Sequence, residues 1–138
     1  MIEFEGFIKK MLNSKILIVE DEIIVATDLK QRLENLGYNI VGIAANGRDA
    51  LKITGETNPD LILMDIMLKG ELDGIDTAQT IRNVYNIPFI YLTGSTDNTI
   101  RERAETTKPL GYIIKPFDDT GIQNSIEIAF INKKNKRM

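Results

Sequence analysis

Five short apolar runs, each followed by a longer stretch with helical spacing, constrain this chain more than any other feature. The runs are Ile16-Leu17-Ile18-Val19, Ile40 to Ala44, Leu61-Ile62-Leu63-Met64, Pro88-Phe89-Ile90-Tyr91-Leu92 and Gly111-Tyr112-Ile113-Ile114. The third is introduced by Asn58-Pro59-Asp60 and stops on Asp65. Four consecutive large apolar residues read as a strand buried on both faces. Proline is tolerated at the first residue of the fourth run, where no ladder hydrogen bond is lost. Between the runs, apolar residues recur at helical spacing. Val25, Leu29, Leu33 and Leu36 form one stripe, closed by Gly37. Ala50, Leu51 and Ile53 form a second behind the cap residue Asn46, and Ile75, Ala78, Ile81, Arg82 and Tyr85 a third. Residues 96–107 offer only Ile100 and Ala104, which predicts the least firmly packed helix. Asp118 or Asp119 caps a last helix over 118–131 with Ile122, Ile126, Ala129 and Phe130 inward. Strand and helix alternating five times predict an α/β fold: a five-stranded parallel sheet, doubly wound, with right-handed crossovers and helices on both faces.

Composition narrows the function. With 138 residues, 43% of them hydrophobic, the chain can build one core and one domain. A net charge of -3 argues against a general nucleic-acid binder. Cysteine is absent, which excludes disulfides, thiolate metal sites and cysteine catalysis. Histidine is absent too, so any phosphohistidine donor must be another molecule. No apolar run approaches the roughly 18 residues of a membrane span. Met1 to Leu12 carries Glu3 and Glu5 and lacks the apolar core of a secretory signal. The expectation is a soluble cytoplasmic domain without direct nucleic-acid or membrane partners. Neither G-x-x-x-x-G-K-[ST] nor a G-x-G-x-x-G after a strand occurs.

The domain is expected over residues 15–131. Residues 1–14 form an extension with Phe4, Phe7, Ile8, Met11 and Leu12 on one helical face. That face either packs on the domain or serves as a docking or dimer-forming arm, and Met11 is an alternative start. Residues 132–138 form a basic tail, from Lys133-Lys134-Asn135-Lys136-Arg137, that complements a helix dipole.

In a parallel sheet the C-terminal ends of all strands share one edge, where ligands bind in open α/β folds. The chain presents Glu20 and Asp21, then Ala45 and Asn46, then Asp65, Thr93 and Lys115 at those ends. An acid after a strand is commonly a turn former; three acids, a hydroxyl and a lysine on one rim form a site. Glu20, Asp21 and Asp65 would repel one another unless a cation sat among them. Carboxylate oxygens facing solvent suit Mg²⁺. With the metal bound, Asp65 can stay ionised as a nucleophile toward phosphorus. Thr93 can donate a hydrogen bond to a phosphoryl oxygen, and Lys115 supplies a fixed positive charge. Phosphoryl transfer needs little beyond alignment and charge neutralisation. Gly94 fits beside them, since a bulky side chain there would hinder access.

These residues resemble the receiver domain of response regulators, the phosphoacceptor half of two-component signalling. The matching segments are Glu20-Asp21 after Lys15-Ile16-Leu17-Ile18-Val19, Pro59-Asp60-Leu61-Ile62-Leu63-Met64-Asp65, Asp73-Gly74, Thr93-Gly94 and Lys115-Pro116-Phe117. Together they cover about residues 15–131, and their order and spacing are specific where each alone is weak. The resemblance implies a flavodoxin-like strand order 2-1-3-4-5, and Asp65 as the phosphorylated aspartate. It implies Mg²⁺ held by Asp21 directly, by Glu20 mainly through water, and by the Met67 carbonyl. It makes Lys115–Pro116 a cis peptide, and Thr93 with Tyr112 a switch pair. Ser95 and Met67 would tune the lifetime of the phosphorylated state. A sensor histidine kinase or phosphotransfer protein is the implied donor. The output is another protein, phosphate relay or a phosphorylation-linked homodimer, through a surface built from helix 96–107, strand 111–114 and helix 118–131.

Two departures stand out. Leu68-Lys69-Gly70-Glu71 replaces the frequent Met-Pro after the phosphoacceptor, and Pro109 stiffens the approach to the fifth strand. Two other readings compete. A pseudo-receiver would keep the fold as a docking module without phosphorylation. A phosphatase of the haloacid-dehalogenase kind would carry a second acid two positions after the nucleophile, where this chain has Met67.

Overall fold

The computed structural model describes residues 2–94 and 97–136, with side chains described between residues 5 and 133 of that set. Ser95, the Phe4 side chain and the side chains of the basic run after Lys133 lie outside the described residues. The chain folds as α1 (Ile2–Leu12), β1 (Lys15–Val19), α2 (Ile23–Asn35), β2 (Asn39–Ala44), α3 (Gly47–Thr57), β3 (Leu61–Asp65), α4 (Gly74–Tyr85), β4 (Phe89–Thr93), α5 (Asn98–Glu105), β5 (Gly111–Ile114) and α6 (Asp119–Lys136). The strands form one sheet in the order β2-β1-β3-β4-β5, every pair parallel. This is the doubly wound α/β fold that the alternation predicts, in the flavodoxin-like strand order that the resemblance implies.

β3 sits in the middle, and its side chains feed two cores. Leu61 and Leu63 point into the core shared with Leu29 and Leu33 of α2 and Ile122 and Ile126 of α6. Ile62 and Met64 point into the other, with Ala50 of α3, Ile75, Ala78 and Ile81 of α4, and Ala104 of α5. Alternate residues of a strand face opposite ways, so a strand covered on both sides has to be apolar throughout. Burying each such side chain contributes about 1.5–3 kcal/mol, which fixes the register and with it the position of Asp65.

The crossovers bring the helix N-termini to the rim where the strands end, and acidic or amide side chains cap those of α3, α4, α5 and α6, whereas Glu22 before α2 makes no side-chain cap bond. Asn46 Oδ1 accepts from the Asp49 N–H at 2.9 Å, Asp73 Oδ1 from Asp76 N–H at 2.8 Å, Asp97 Oδ1 from Thr99 N–H at 2.8 Å, and Asp118 Oδ1 from Gly121 N–H at 2.5 Å. The opposite edge, the floor of the sheet, is covered differently. α1 lies there, with Met11 buried and Phe7 and Leu12 packed on the α2–α6 core. Gly37, at φ 97° just past α2, has Leu12 close above it. At the far side of the floor, Lys133 of α6 shares a shallow depression with Pro88, Lys108 and Leu110.

Several details differ from the sequence reading. On α2 the buried residues are Ala26, Leu29 and Leu33, with Val25 and Leu36 at the margin. Tyr85 is not inward but lies at the α3–α4 crossing, where a Cβ on Gly55 would approach its hydroxyl to 2.9 Å. α6 continues to Lys136, so most of the expected basic tail forms its last turns, where cations oppose the carbonyl end of the dipole.

Candidate functional site

β1 and β3 are neighbours in register, so the residues that leave their ends meet. Glu20 follows β1, its N–H held by the Ala44 carbonyl at 2.9 Å, and Asp65 is the last residue of β3. Both are almost fully buried, at 1% and 3% exposure, and Asp21 is partly exposed beside them. One carboxylate oxygen from each of Glu20, Asp21 and Asp65 lies within 4.8 Å of the others.

Lys115 leaves β5 with its N–H on the Thr93 carbonyl at 2.8 Å. Its ammonium reaches back 2.6 Å to Glu20 Oε1 and 3.5 Å to Asp65 Oδ1. The positive charge that three crowded carboxylates require is thus supplied in part by the chain itself. Burial works against that ammonium, but the hydrogen bond to Glu20 and the charges of Asp65 and Glu20 outweigh it, holding the Lys115 pKa above its ordinary value. Main-chain groups complete the set. Asp65 Oδ1 accepts from the Met67 N–H at 3.0 Å and Asp21 Oδ2 from the Lys69 N–H at 3.3 Å, while Glu20 Oε2 accepts from the Glu22 N–H at 3.2 Å.

Thr93 ends β4, next to β3, and is 4% exposed. The Ile66 N–H bonds the Leu92 carbonyl at 3.1 Å, which ties the exits of these two strands together. Gly94 is exposed, and a Cβ added there would meet Lys115 Cβ at 3.7 Å, so a methyl fits and only larger groups would crowd the rim. The Lys115–Pro116 peptide is cis. Met67 is more than half exposed, at 55%, whereas Leu68 is buried and anchors the loop that replaces Met-Pro. Gly70 turns that loop at φ 117°, a backbone conformation that favours glycine.

Tyr112 stands apart from the acids. Its hydroxyl donates to Glu105 of α5, the Arg101 guanidinium lies over its ring at 3.8 Å, and the Tyr91 ring is 5.9 Å away. Burial first, and the bond to Glu105 second, push its pKa up to about 12. Sequence reasoning missed Glu105, Arg101 and also Arg103, whose guanidinium bridges Asp73 and Asp76 at the start of α4, each at 2.8 Å. Partial burial raises the Asp73 pKa, but the bonds from Arg103 and from the Asp76 N–H prevail and leave it below the usual value. No local pattern marks such partners; their charge on a sparsely apolar helix is the only hint.

Residues 16–127 match the family model of the response regulator receiver domain. The chain belongs to that family. Among its relatives, the transcriptional regulatory protein PdtaR of Mycobacterium tuberculosis is 35% identical over 115 residues, covering 83% of this chain and 56% of PdtaR. The phyllosphere-induced regulator PhyR of Methylorubrum extorquens is 32% identical over 125 residues, covering 90% of this chain and 46% of PhyR. The receiver domain described here therefore spans about half the length of these relatives. Among solved structures, the signal receiver domain of a modulated diguanylate cyclase from Desulfovibrio desulfuricans superposes with a TM-score of 0.84 at 39% identity, over 90% of this chain and 98% of that one. The receiver domain of sensor histidine kinase PA1611 from Pseudomonas aeruginosa matches with a TM-score of 0.76 at 30% identity, over 86% and 98% of the two chains, and holds a magnesium ion in its active site cleft. Receiver domains are signalling modules of two-component systems that bind Mg²⁺ at an acidic site, and the acidic cluster here is of that kind. Among the described residues no helix is long and apolar enough to cross a membrane.

Proposed function

We propose that this receiver domain, residues 15–131 with a 1–14 extension and a basic tail over 132–138, is a cytoplasmic phosphorylation switch in which Asp65 takes a phosphoryl group from a partner phosphohistidine. The observation that carries the reading is the Asp65 carboxylate held among two acids and the Lys115 ammonium, 3.5 Å from its Oδ1. The donor set fits Mg²⁺, which prefers oxygen ligands and keeps several waters. Asp21 and Asp65 would hold it directly, Glu20 mainly through water, and Met67 through its carbonyl. When bound, the ion neutralises the carboxylates and the incoming phosphoryl oxygens.

The chain's own residues do the rest. An Asp65 oxygen forms the new bond to phosphorus as the P–N bond of the donor phosphohistidine breaks, and the donor imidazole leaves with the electron pair and takes up a proton. Lys115 offsets the charge on the arriving group, and Thr93 donates a hydrogen bond to it. Thr93 and Tyr112 form the switch pair, and the change is read on α5, β5 and α6 by a protein partner or by a second copy of the chain, the unphosphorylated form being a monomer. The donor is a sensor histidine kinase or a phosphotransfer protein, since this chain holds no histidine of its own.

Incubation with Mg²⁺ and acetyl phosphate, followed by intact mass and released phosphate, tests this. The expected result is a slowly decaying single adduct that is lost completely in Asp65→Asn. A wild-type protein that never gains the adduct would instead be a pseudo-receiver acting as a docking module, and rapid turnover of varied phosphate esters would make it a phosphatase.

A further inference from the structure

The pair Asp73-Gly74 opens α4 against the main chain of Asp65. A Cβ on Gly74 would lie 1.9 Å from the Asp65 carbonyl oxygen, 2.9 Å from its carbonyl carbon and 3.0 Å from Ile66 Cα. Gly74 is not at positive φ, so glycine is needed for space. The first turn of α4 rests directly on the backbone that carries the phosphoacceptor.

Asp73 fixes that turn. Its Oδ1 accepts from the Asp76 N–H at 2.8 Å, and its carbonyl accepts from Thr77 N–H at 3.0 Å and Thr77 Oγ1 at 2.8 Å. The same carboxylate accepts from Arg103 of α5, Oδ2 from Nη1 at 2.8 Å and Oδ1 from Nη2 at 3.3 Å, and the same Nη2 donates to Asp76 Oδ1 at 2.8 Å. α5 has little apolar anchorage of its own, with Ala104 buried and Ile100 partly so. A forked guanidinium on two carboxylates is directional in a way that a lone surface pair is not. Arg103 thus links α5 to the turn that carries Gly74.

We infer that Asp73 and Gly74 are positioning residues for Asp65, and that Arg103 ties them to α5, so the strand end bearing the phosphoacceptor and the helix on the reading surface are seated by one joint. The inference rests on the phosphoacceptor reading for its purpose, but its geometry concerns the Asp65 main chain alone. A shift of α5 that releases Arg103 loosens the turn under Asp65, and a change at Asp65 reaches α5 without passing through Thr93 and Tyr112.

Amide hydrogen exchange on the full chain, with and without Mg²⁺, reads this directly. Arg103→Gln should raise exchange about three- to five-fold, the scale of a strong surface ion pair, both in 98–107 and in 65–76, and weaken Mg²⁺ binding by a similar factor. Asp73→Asn keeps a competent helix cap while losing the pairing charge, and should match Arg103→Gln. The double variant should be no worse than either single one. Gly74→Ala, if folded by circular dichroism, should weaken Mg²⁺ binding about ten-fold or more; if it does not fold, the two charge variants decide. Faster exchange confined to 98–107, or additive effects in the double variant, would overturn the inference. Failure of wild type to take phosphate from acetyl phosphate would remove the phosphoacceptor reading and leave the exchange result to decide this one.

Discussion

β3 and α5 both border α4 and are held in opposite ways. All five residues of β3 are buried, and its side chains fill both cores. α5 buries Ala104, and half of its eight residues are charged. Its seat is a set of polar ties: Arg103 to α4, Glu105 and Arg101 to Tyr112, and the Arg82 guanidinium on the Thr107 carbonyl at 2.9 Å. Apolar burial is non-directional and large, so β3 has one place to be. Polar ties of about 1 kcal/mol each can be exchanged for others at small cost. A signalling site needs both: a fixed carboxylate, and next to it an element that can be reseated.

The largest effect that would break this contrast is in the strand. Leu63→Ala should destabilise the whole domain by about 2–5 kcal/mol, seen as a lower denaturant midpoint with an unchanged slope. A loss no greater than that of Arg103→Gln would place α5 and β3 on an equal footing and remove the distinction.

A smaller effect is expected at Tyr112. Its raised pKa of about 12 means the neutral phenol is favoured in the folded state, a contribution present below pH 10 and lost as pH rises toward about 12. Burial is the first cause and Glu105 the second, so Glu105→Gln should lower the Tyr112 pKa toward 10 and leave part of the shift. Tyrosine-selective NMR can separate it from Tyr38 and Tyr91, which burial also raises to about 12. An unmoved Tyr112 would mean that Glu105 is not what holds the ring at α5.

The smallest effect lies at acid pH. Asp73 has a lowered pKa, so its contribution is present above its ordinary value near 3.8 and is lost as pH falls below that through the folded value. Exchange in 98–107 should accelerate across that window before the core of β3 opens. Simultaneous opening of both would show that α5 has no independent release.

The contrast also explains what could be read without coordinates. Burial on both faces leaves a local trace, so Leu61 to Met64 declares itself, and parallel topology then forces Glu20, Asp21, Asp65, Thr93 and Lys115 to one edge. The ties of α5 leave none. Arg103 and Asp73 are 30 residues apart in sequence, and their meeting depends on how two helices cross and which rotamers they take. The loop after Asp65 was equally opaque, because it is shaped by buried Leu68, by Gly70 and by the Lys69 N–H on Asp21 rather than by a proline. Ile23 and Ile24 show that apolar character alone does not mark the core: they are 77% and 82% exposed at the start of α2.

α1 against Gly37 and Lys133 beside Pro88 and Leu110 put the chain's entry into the fold and its exit from α6 on the pole away from Asp65. A dye, a bead or a surface linkage joined at that pole would thus lie away from Glu20, Asp21 and Asp65. Immobilised in that way, the domain would keep its acidic rim turned away from the support.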